Sequence, residues 1–480
     1  MKKLVLASVG LLLLAAIAFL GAAFHFSRNA EKAAAEWSQK LEESAPFLKV
    51  SDNEYRRGLF SSTQRLTIAF PGGKGAAESI TFMNVIKHGP FPGFAGLGVA
   101  SIEHSWEFDE ATQKEVTKAF GAAPPFAATT TIAIDGTGVT ELRGAPAAYS
   151  SGDGTLTWQG LTGTVRFSKG LESYTGEFSA PLFSATGKNG GATVKGVTAR
   201  FDQRRMPGFD DLYLGNMVLS VEAVSFKDAA TEGRVEKLIV DADASSADNQ
   251  FMDAKVGARA ARVVTADVDV SDVDYAFSMR HLHAPSLAQW TKAMKAAGPK
   301  QADAKPDTAA LMAQMEAMQS AMKIHGVALL KYEPVIAIDR INLKTKDGEM
   351  KMSGTVRLPG VTDADMQQPF NLIGKVDAAA TIAIPEAFAR NQFAQSKVRA
   401  AKTQLGDLSE AQATEIAATA GSEFAQMLAT FGQQGYFVSE GGLLKSKIAF
   451  KGGALMINDK PFNPMGAAPP AMPPPALPRR

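Results

Sequence analysis

From Phe47 to about residue 464 the chain is written in short stretches that alternate apolar and polar residues. That alternation constrains the fold more than any other feature. "QRLTIAF" puts Leu66, Ile68 and Phe70 on one face of a strand and Arg65 and Thr67 on the other. "TTTIAIDG" predicts a strand with Ile132 and Ile134 inward and a turn at Asp135-Gly136. Between residues 125 and 280 such segments recur with glycine between them, among them "GTLTWQG", "GTVRFSKG", "GATVKGVTARF", "NMVLSVEAVSF" and "VEKLIVDAD". Thr, Ser or charge on one face of most of them predicts antiparallel sheet covered on one side only. Strands return at 335–358, with a hairpin through Lys346-Asp347-Gly348, at 373–384 and at 443–459.

Helices are expected at 109–119, at 286–297 with Ser286 as cap after Pro285, at 307–324 from Asp307, and at 409–431. Ser409 and Gln412 fit a capping box at the last of these. The predicted fold class is therefore α+β and β-dominated: elongated antiparallel sheet with packed helices.

The amino terminus adds one more expected element. Lys2 and Lys3 precede an uncharged stretch, Leu4 to Phe24, and about 20 apolar residues span a bilayer as a helix. This predicts one N-terminal transmembrane helix, with the lysines cytoplasmic and the bulk of the chain in the periplasm of a single-pass bacterial inner-membrane protein. An uncleaved anchor is favoured over a signal peptide, although Gly21-Ala22-Ala23 would serve as a cleavage site. The expected organisation is an anchor at 1–28, a helical stalk at 29–46 and a β-rich region at 47–464 with a sub-boundary near 285–330. A Pro-rich disordered tail at 465–480 completes it.

Composition removes several classes of function. The 480 residues include no cysteine, so there is no disulfide, thiolate ligand or thiol nucleophile. Lys and Arg number 50 against 49 Asp and Glu, which gives no electrostatic footprint for nucleic acid. No nucleophile elbow, zinc-protease helix, phosphate loop or dinucleotide fingerprint occurs in context, and no cofactor is expected.

His88 lies in "VIKHGPFPGF", where Pro90 and Pro92 fix the backbone and leave no neighbouring carboxylate to orient an imidazole. The expectation is a corner: His88 ends a strand and hydrogen-bonds backbone, while Phe91 and Phe94 anchor the corner in a core. His281 and His283 in "RHLHAP" share a strand face and are weak candidates for a metal, which needs three or four ligands. "DADASSADNQFM" lacks the glycine and the terminal Glu of a calcium loop. Met312, Met315, Met318 and Met322 follow helical spacing and read as core by default, or as the wall of a groove for lipid chains.

Two phrases go beyond pattern. "YRRGLFSS" (Tyr55 to Ser62) and "ITFMNVIKHGPFP" (Ile80 to Pro92) resemble the YdgA-like family of bacterial membrane-anchored periplasmic proteins of unassigned activity. "DVDYAFSMRHLHAPSLAQWTKAM", "PVIAIDRINLKTKDGEMKMSGTVRL" and "GYFVSEGGLLKSKIAFKGGALMINDKPFNP" extend the likeness to Pro464. The resemblance implies architecture and brings no catalytic residue with it. Tyr55, Gly58, Phe60, His88, Gly89, Pro90, Phe91 and Pro92 read as its structural motif: Gly58 bends the chain within a strand and Leu59-Phe60 tuck into the core. Arg56 and Arg57 are expected to face lipid head groups.

The functional expectation is a non-enzymatic envelope protein that binds a lipid or other apolar ligand in a β-sheet groove. Long one-sided sheets of this kind resemble bacterial lipid-transfer proteins at the level of fold. The expected partners are the inner membrane and phospholipid or another envelope protein. The alternatives are a scaffold with a filled core and a hydrolase whose site is assembled from distant segments.

Overall fold

The computed structural model describes residues 25–36, 42, 48–71, 77–94, 96–152, 154–228, 231–266, 268–297, 308–368 and 370–462. The chain divides into two compact units, residues 1–268 with 282–329, and residues 269–281 with 330–480.

The first unit is built on antiparallel strands β1 (Lys49–Arg56), β2 (Ser61–Pro71), β3 (Ala77–His88), β4 (Ala100–Glu107), β5 (Phe126–Ile132), β6 (Gly138–Gly144), β7 (Ala147–Ser151), β8 (Gly154–Trp158) and β9 (Leu161–Phe167). Five long strands follow: β10 (Ser173–Gly187), β11 (Gly190–Arg205), β12 (Tyr213–Asp228), β13 (Glu232–Ser245) and β14 (Phe251–Thr265). Neighbours in sequence pair up to β6. β6 then pairs with β9, and β10 takes β9 along its first half and β8 along its second. β11 to β14 extend the sheet strand by strand.

Register converts this pairing into rows of side chains on one face, because residues directly opposite share a side. One row runs Ser62–Ile86–Ile102–Thr130–Thr140–Val165–Gly176–Phe201–Met217–Ala242–Val256, from β2 to β14. The next runs His104–Ala128–Leu142–Gly163–Phe178–Ala199–Leu219–Val240–Ala258. The intervening positions, such as Glu177, Arg200 and Asp241, are polar and face the other way.

A line of irregularity crosses the long strands. On β11 the apolar positions are odd-numbered down to Val197 and even-numbered from Val194, and Gly196 lies between with φ 61°. On β13 they change from Leu238 to Val235 across Lys237, with φ 49°. A left-handed residue reverses the pleat. The reversal and the parity change coincide, so we read both apolar runs as lying on one side.

Helices are few in this unit. Residues 25–36 form α1. α2 (Glu110–Phe120) starts where expected, with the Asp109 side chain accepting from the Thr112 amide. α3 (Ala284–Ala297) begins two residues earlier than Ser286, and Pro285 sits in its first turn. It docks through Ala284 on buried Met206, Leu212 and Leu214. α4 (Thr308–Ala321) runs into a π turn, Met322–Gly326, and then α5 (Val327–Leu330).

The second unit pairs residues of β15 (Asp269–His283) with β16 (Val335–Thr345), then β17 (Gly348–Arg357), β18 (Asp377–Pro385) and β20 (Leu443–Lys451). β19 (Val438–Glu440), β21 (Ala454–Ile457) and β22 (Lys460–Pro461) finish its edge. The β16–β17 hairpin turns at Lys346-Asp347 as expected. α6 (Asp363–Gln367) and α7 (Phe370–Lys375) are short. α8 (Glu386–Leu405) and α9 (Glu410–Gln433) pair through rings of Phe393 and Phe424 5.6 Å apart. The Ser409–Gln412 capping box is present: Ser409 Oγ accepts from the Gln412 amide at 3.3 Å and Gln412 Oε1 accepts from the Ser409 amide at 2.9 Å.

Three expectations are corrected. Among the described residues no helix is long and apolar enough to cross a membrane. α1, the helix described nearest the amino end, carries Arg28, Glu31, Lys32 and Glu36, while Leu4 to Phe24 lies outside the described residues. The single-pass inner-membrane placement, with a cytoplasmic N-terminus and a periplasmic bulk, is therefore withdrawn. Leu59 and Phe60 do not tuck into the core: they lie in the β1–β2 turn, 40% and 47% exposed. Phe91, Phe94 and Ile134 are likewise exposed, because each sits at a turn outside the alternating register. The proposed tail, 465–480, and most of the stalk beyond residue 36 lie outside the described residues.

Candidate functional site

The "HGPFP" corner is a sealed lock. β3 ends at His88, whose amide donates to the Phe60 carbonyl at 2.8 Å. The His88 side chain reaches a hydroxyl instead of backbone: its Nε2 is 2.8 Å from Ser62 Oγ, and that oxygen also accepts from the Gly58 amide at 3.2 Å. Gly58 lies between β1 and β2, outside either strand, and its carbonyl accepts from Ser27 Oγ of α1 at 2.8 Å. Pro92 is buried and Pro90 half-buried, and the Pro90 carbonyl accepts from the Gly98 amide at 2.9 Å. The Ser62–His88 pair has the atoms of a nucleophile and a base. Both residues are buried, and no carboxylate hydrogen-bonds His88 Nδ1 to orient it. Tyr55 Oη is buried beside Ser62, and burial raises its pKa.

A polar chain continues across six strands. His104 Nδ1 lies 2.8 Å from Asn84 Oδ1, and Asn84 Nδ2 donates to Gln64 Oε1 at 3.0 Å. Gln64 Nε2 donates to Asn53 Oδ1 at 2.8 Å. On the other side His104 Nε2 lies 3.0 Å from Thr130 Oγ1, which is 2.9 Å from Thr140 Oγ1. A neutral His104 that donates from Nδ1 and accepts at Nε2 satisfies every link.

Burial pushes the pKa of both His88 and His104 below the ordinary 6.5. The unfolded chain then binds more protons between the folded and unfolded values. The stability these residues contribute is fully present above about pH 6.5 and is lost as pH falls through their folded values. The urea midpoint is expected to drop between pH 7.5 and 5.5, and the drop is expected to shrink in a His88→Gln/His104→Gln variant. An unchanged slope in that variant would assign the acid sensitivity elsewhere.

The same face changes character toward β14. In the long row Ser62, Ile86 and Thr130 are 2%, 4% and 9% exposed, whereas Met217 and Val256 are 45% and 43% exposed. Four phenylalanines stand directly opposite glycines: Phe167 on Gly138, Phe178 on Gly163, Phe201 on Gly176 and Phe226 on Gly233. In each pair the ring occupies the space a Cβ would fill, as close as 2.2 Å at Gly138 and Gly176. The rings therefore lean along the sheet and make a low, continuous apolar surface. Rows beyond the irregular line continue it, with Trp158, Phe183, Val194, Val224, Val235 and Val263 in register.

The other candidates are distributed elsewhere. Met312, Met315, Met318 and Met322 do not form core: they are 67%, 63%, 38% and 49% exposed. Arg56 pairs with Glu54 at 2.7 Å and Arg57 with Glu31 at 3.3 Å. His281 has φ 61°, which breaks the pleat expected to align it with His283, and its Nδ1 is 2.7 Å from the Tyr332 carbonyl. His283 Nδ1 is 2.9 Å from Ser286 Oγ. Among the described residues no group of three or more His, Cys, Asp and Glu could hold a metal ion. A cavity of about 580 Å³ is lined by Glu141, Arg143, Glu177 and Arg200 together with Leu142 and Phe178. A second, of about 550 Å³, is lined by Asp347, Glu349, Lys351, Glu386 and Arg390 in the second unit.

Residues 1–465 match the family described as "Bacterial protein of unknown function (DUF945)". The chain belongs to this family. No curated protein and no solved structure matches it. The family covers nearly the whole chain, both units included, so the sealed corner and the open sheet face belong to one DUF945 protein.

Proposed function

We propose that this DUF945 protein, a YdgA-like member on its motifs, is a non-enzymatic binder of lipid acyl chains. The chain lies along the open half of the sheet row, over Phe201, Met217, Ala242 and Val256. One observation carries the reading: a single register row is sealed at β2–β5 and left open from β11 to β14, where it is apolar. Exposed contiguous apolar surface marks interaction sites. Enclosure is not required of it, because an acyl chain gains about 0.8 kcal/mol for each methylene removed from water.

Adjacent residues on opposite faces provide the test. Met217 faces the row, and Val218, similarly exposed at 36%, stands between Arg200 and Asp241 on the polar face. Met217→Asp is expected to weaken binding of a fluorescent long-chain fatty acid at least about tenfold, because the carboxylate would have to be desolvated under the chain. Val218→Asp is expected to leave it within about twofold. Equal effects of the two substitutions, or no binding by the native protein, would refute the proposal.

A further inference from the structure

We propose that the methionine face of α4 is a soft-cation site, in which the thioethers of Met315, Met318 and Met322 hold one monovalent ion of the Cu(I) class. This inference is independent of the acyl-chain reading. Methionine normally fills gaps in apolar surroundings. Here Met312, Met315 and Met318 stand on a helix whose residues 312–320 are all exposed except half-buried Gln314, and Met322 follows, exposed, in the π turn, so core packing does not account for the stripe. Met315 and Met318 are three residues apart, and Met318 and Met322 four. Side chains at those spacings lie one above the other, with Met318 the shared neighbour.

The donor set decides the ion. A thioether is neutral and soft, which selects Cu(I) over the oxygen-seeking divalent ions. It carries no proton to release, so binding is expected to be nearly independent of pH, unlike binding at imidazole or carboxylate. The local backbone is irregular where the third ligand stands. Met322 opens the π turn, an irregularity frequent at functional sites. Its Sδ lies 2.7 Å from where a Cβ on Gly326 would stand, and Trp290 Nε1 of α3 lies 3.4 Å from the same point. Gly326 thus lets the sulfur and the indole approach across the turn, and the indole N–H is buried without a partner. In that rotamer the sulfur lies on the Gly326 side, and rotation about the Met322 side-chain torsions brings it toward Met318 and the ion that Met315 and Met318 hold from solvent.

Silver(I) is a redox-inert probe of such a site. The full chain, in nitrate buffer free of thiols and chloride, is expected to retain one equivalent of Ag(I) by native mass spectrometry and none of Zn(II). Met315→Leu/Met318→Leu/Met322→Leu keeps the helix propensity and side-chain volume. It is expected to bind Ag(I) at least about tenfold more weakly with an unchanged circular dichroism spectrum. On the native chain, Ag(I) is expected to slow peroxide oxidation of Met315, Met318 and Met322 and to leave exposed Met217 as reactive as before. That map decides the matter should the triple variant fail to fold. Equal silver retention by native and variant chains, uniform protection of all methionines, or no retention at all would overturn the proposal.

Discussion

Gly89→Ala destabilises the protein by about 3 kcal/mol, the upper range for overpacking a rigid site. A Cβ at Gly89 would stand 2.2 Å from the Gly98 carbonyl oxygen and 3.0 Å from that of Val99. Neither oxygen can move aside. The Gly98 amide is bonded to the Pro90 carbonyl, and the Val99 carbonyl accepts from the Gly89 amide at 2.7 Å. Phe26 of α1 closes the third side at 3.0 Å. The corner would have to open, and with it the Ser62–His88 contact two strands share. Urea denaturation measures the loss. Gly374→Ala, where a Cβ meets nothing within 4 Å, is the control and is expected to change stability by no more than about 0.5 kcal/mol. A Gly89→Ala protein as stable as the control would show that the corner is not a lock.

Gly176→Val has the second large effect, about 2–3 kcal/mol, through the Phe201 ring that occupies the Cβ position. Here the obstacle is a side chain, so the damage is reversible by a second substitution. In Gly176→Val/Phe201→Ala the valine fills the space the ring has left. The double variant is expected to be more stable than the sum of the single losses by about 1–2 kcal/mol, a coupling normal for residues in contact. Additive losses would mean that the ring does not lean over the glycine in solution.

Local chemistry was legible in the sequence where it is local in the fold. Ser409 caps a helix through bonds that span three residues, and the Lys346-Asp347 hairpin turn is equally short-range. Alternation identified the strands. What alternation could not supply was partnership: nothing near Phe201 in sequence says that Gly176 lies across from it. The parity changes at Gly196 and Lys237 are visible in the sequence only after their φ angles explain them. α8 was missed because Pro385 stands at its N-cap, without the side-chain oxygen that usually marks a start, and because its apolar residues follow no clear stripe. Leu59, Phe60 and Phe91 were expected inside because they are apolar, but turn residues obey backbone geometry first. The methionine stripe followed helical spacing as read, yet spacing alone does not say whether a face is covered.

The open sheet face is tested most directly by photo-crosslinking the full chain with a diazirine fatty acid and locating the adducts by peptide mass spectrometry. The account predicts adducts on Phe201, Met217 and Val256, which share one row, and none on Val218 or Arg200 behind it. Adducts concentrated on the polar face or on the α4 methionines, with the row unlabelled, would contradict it.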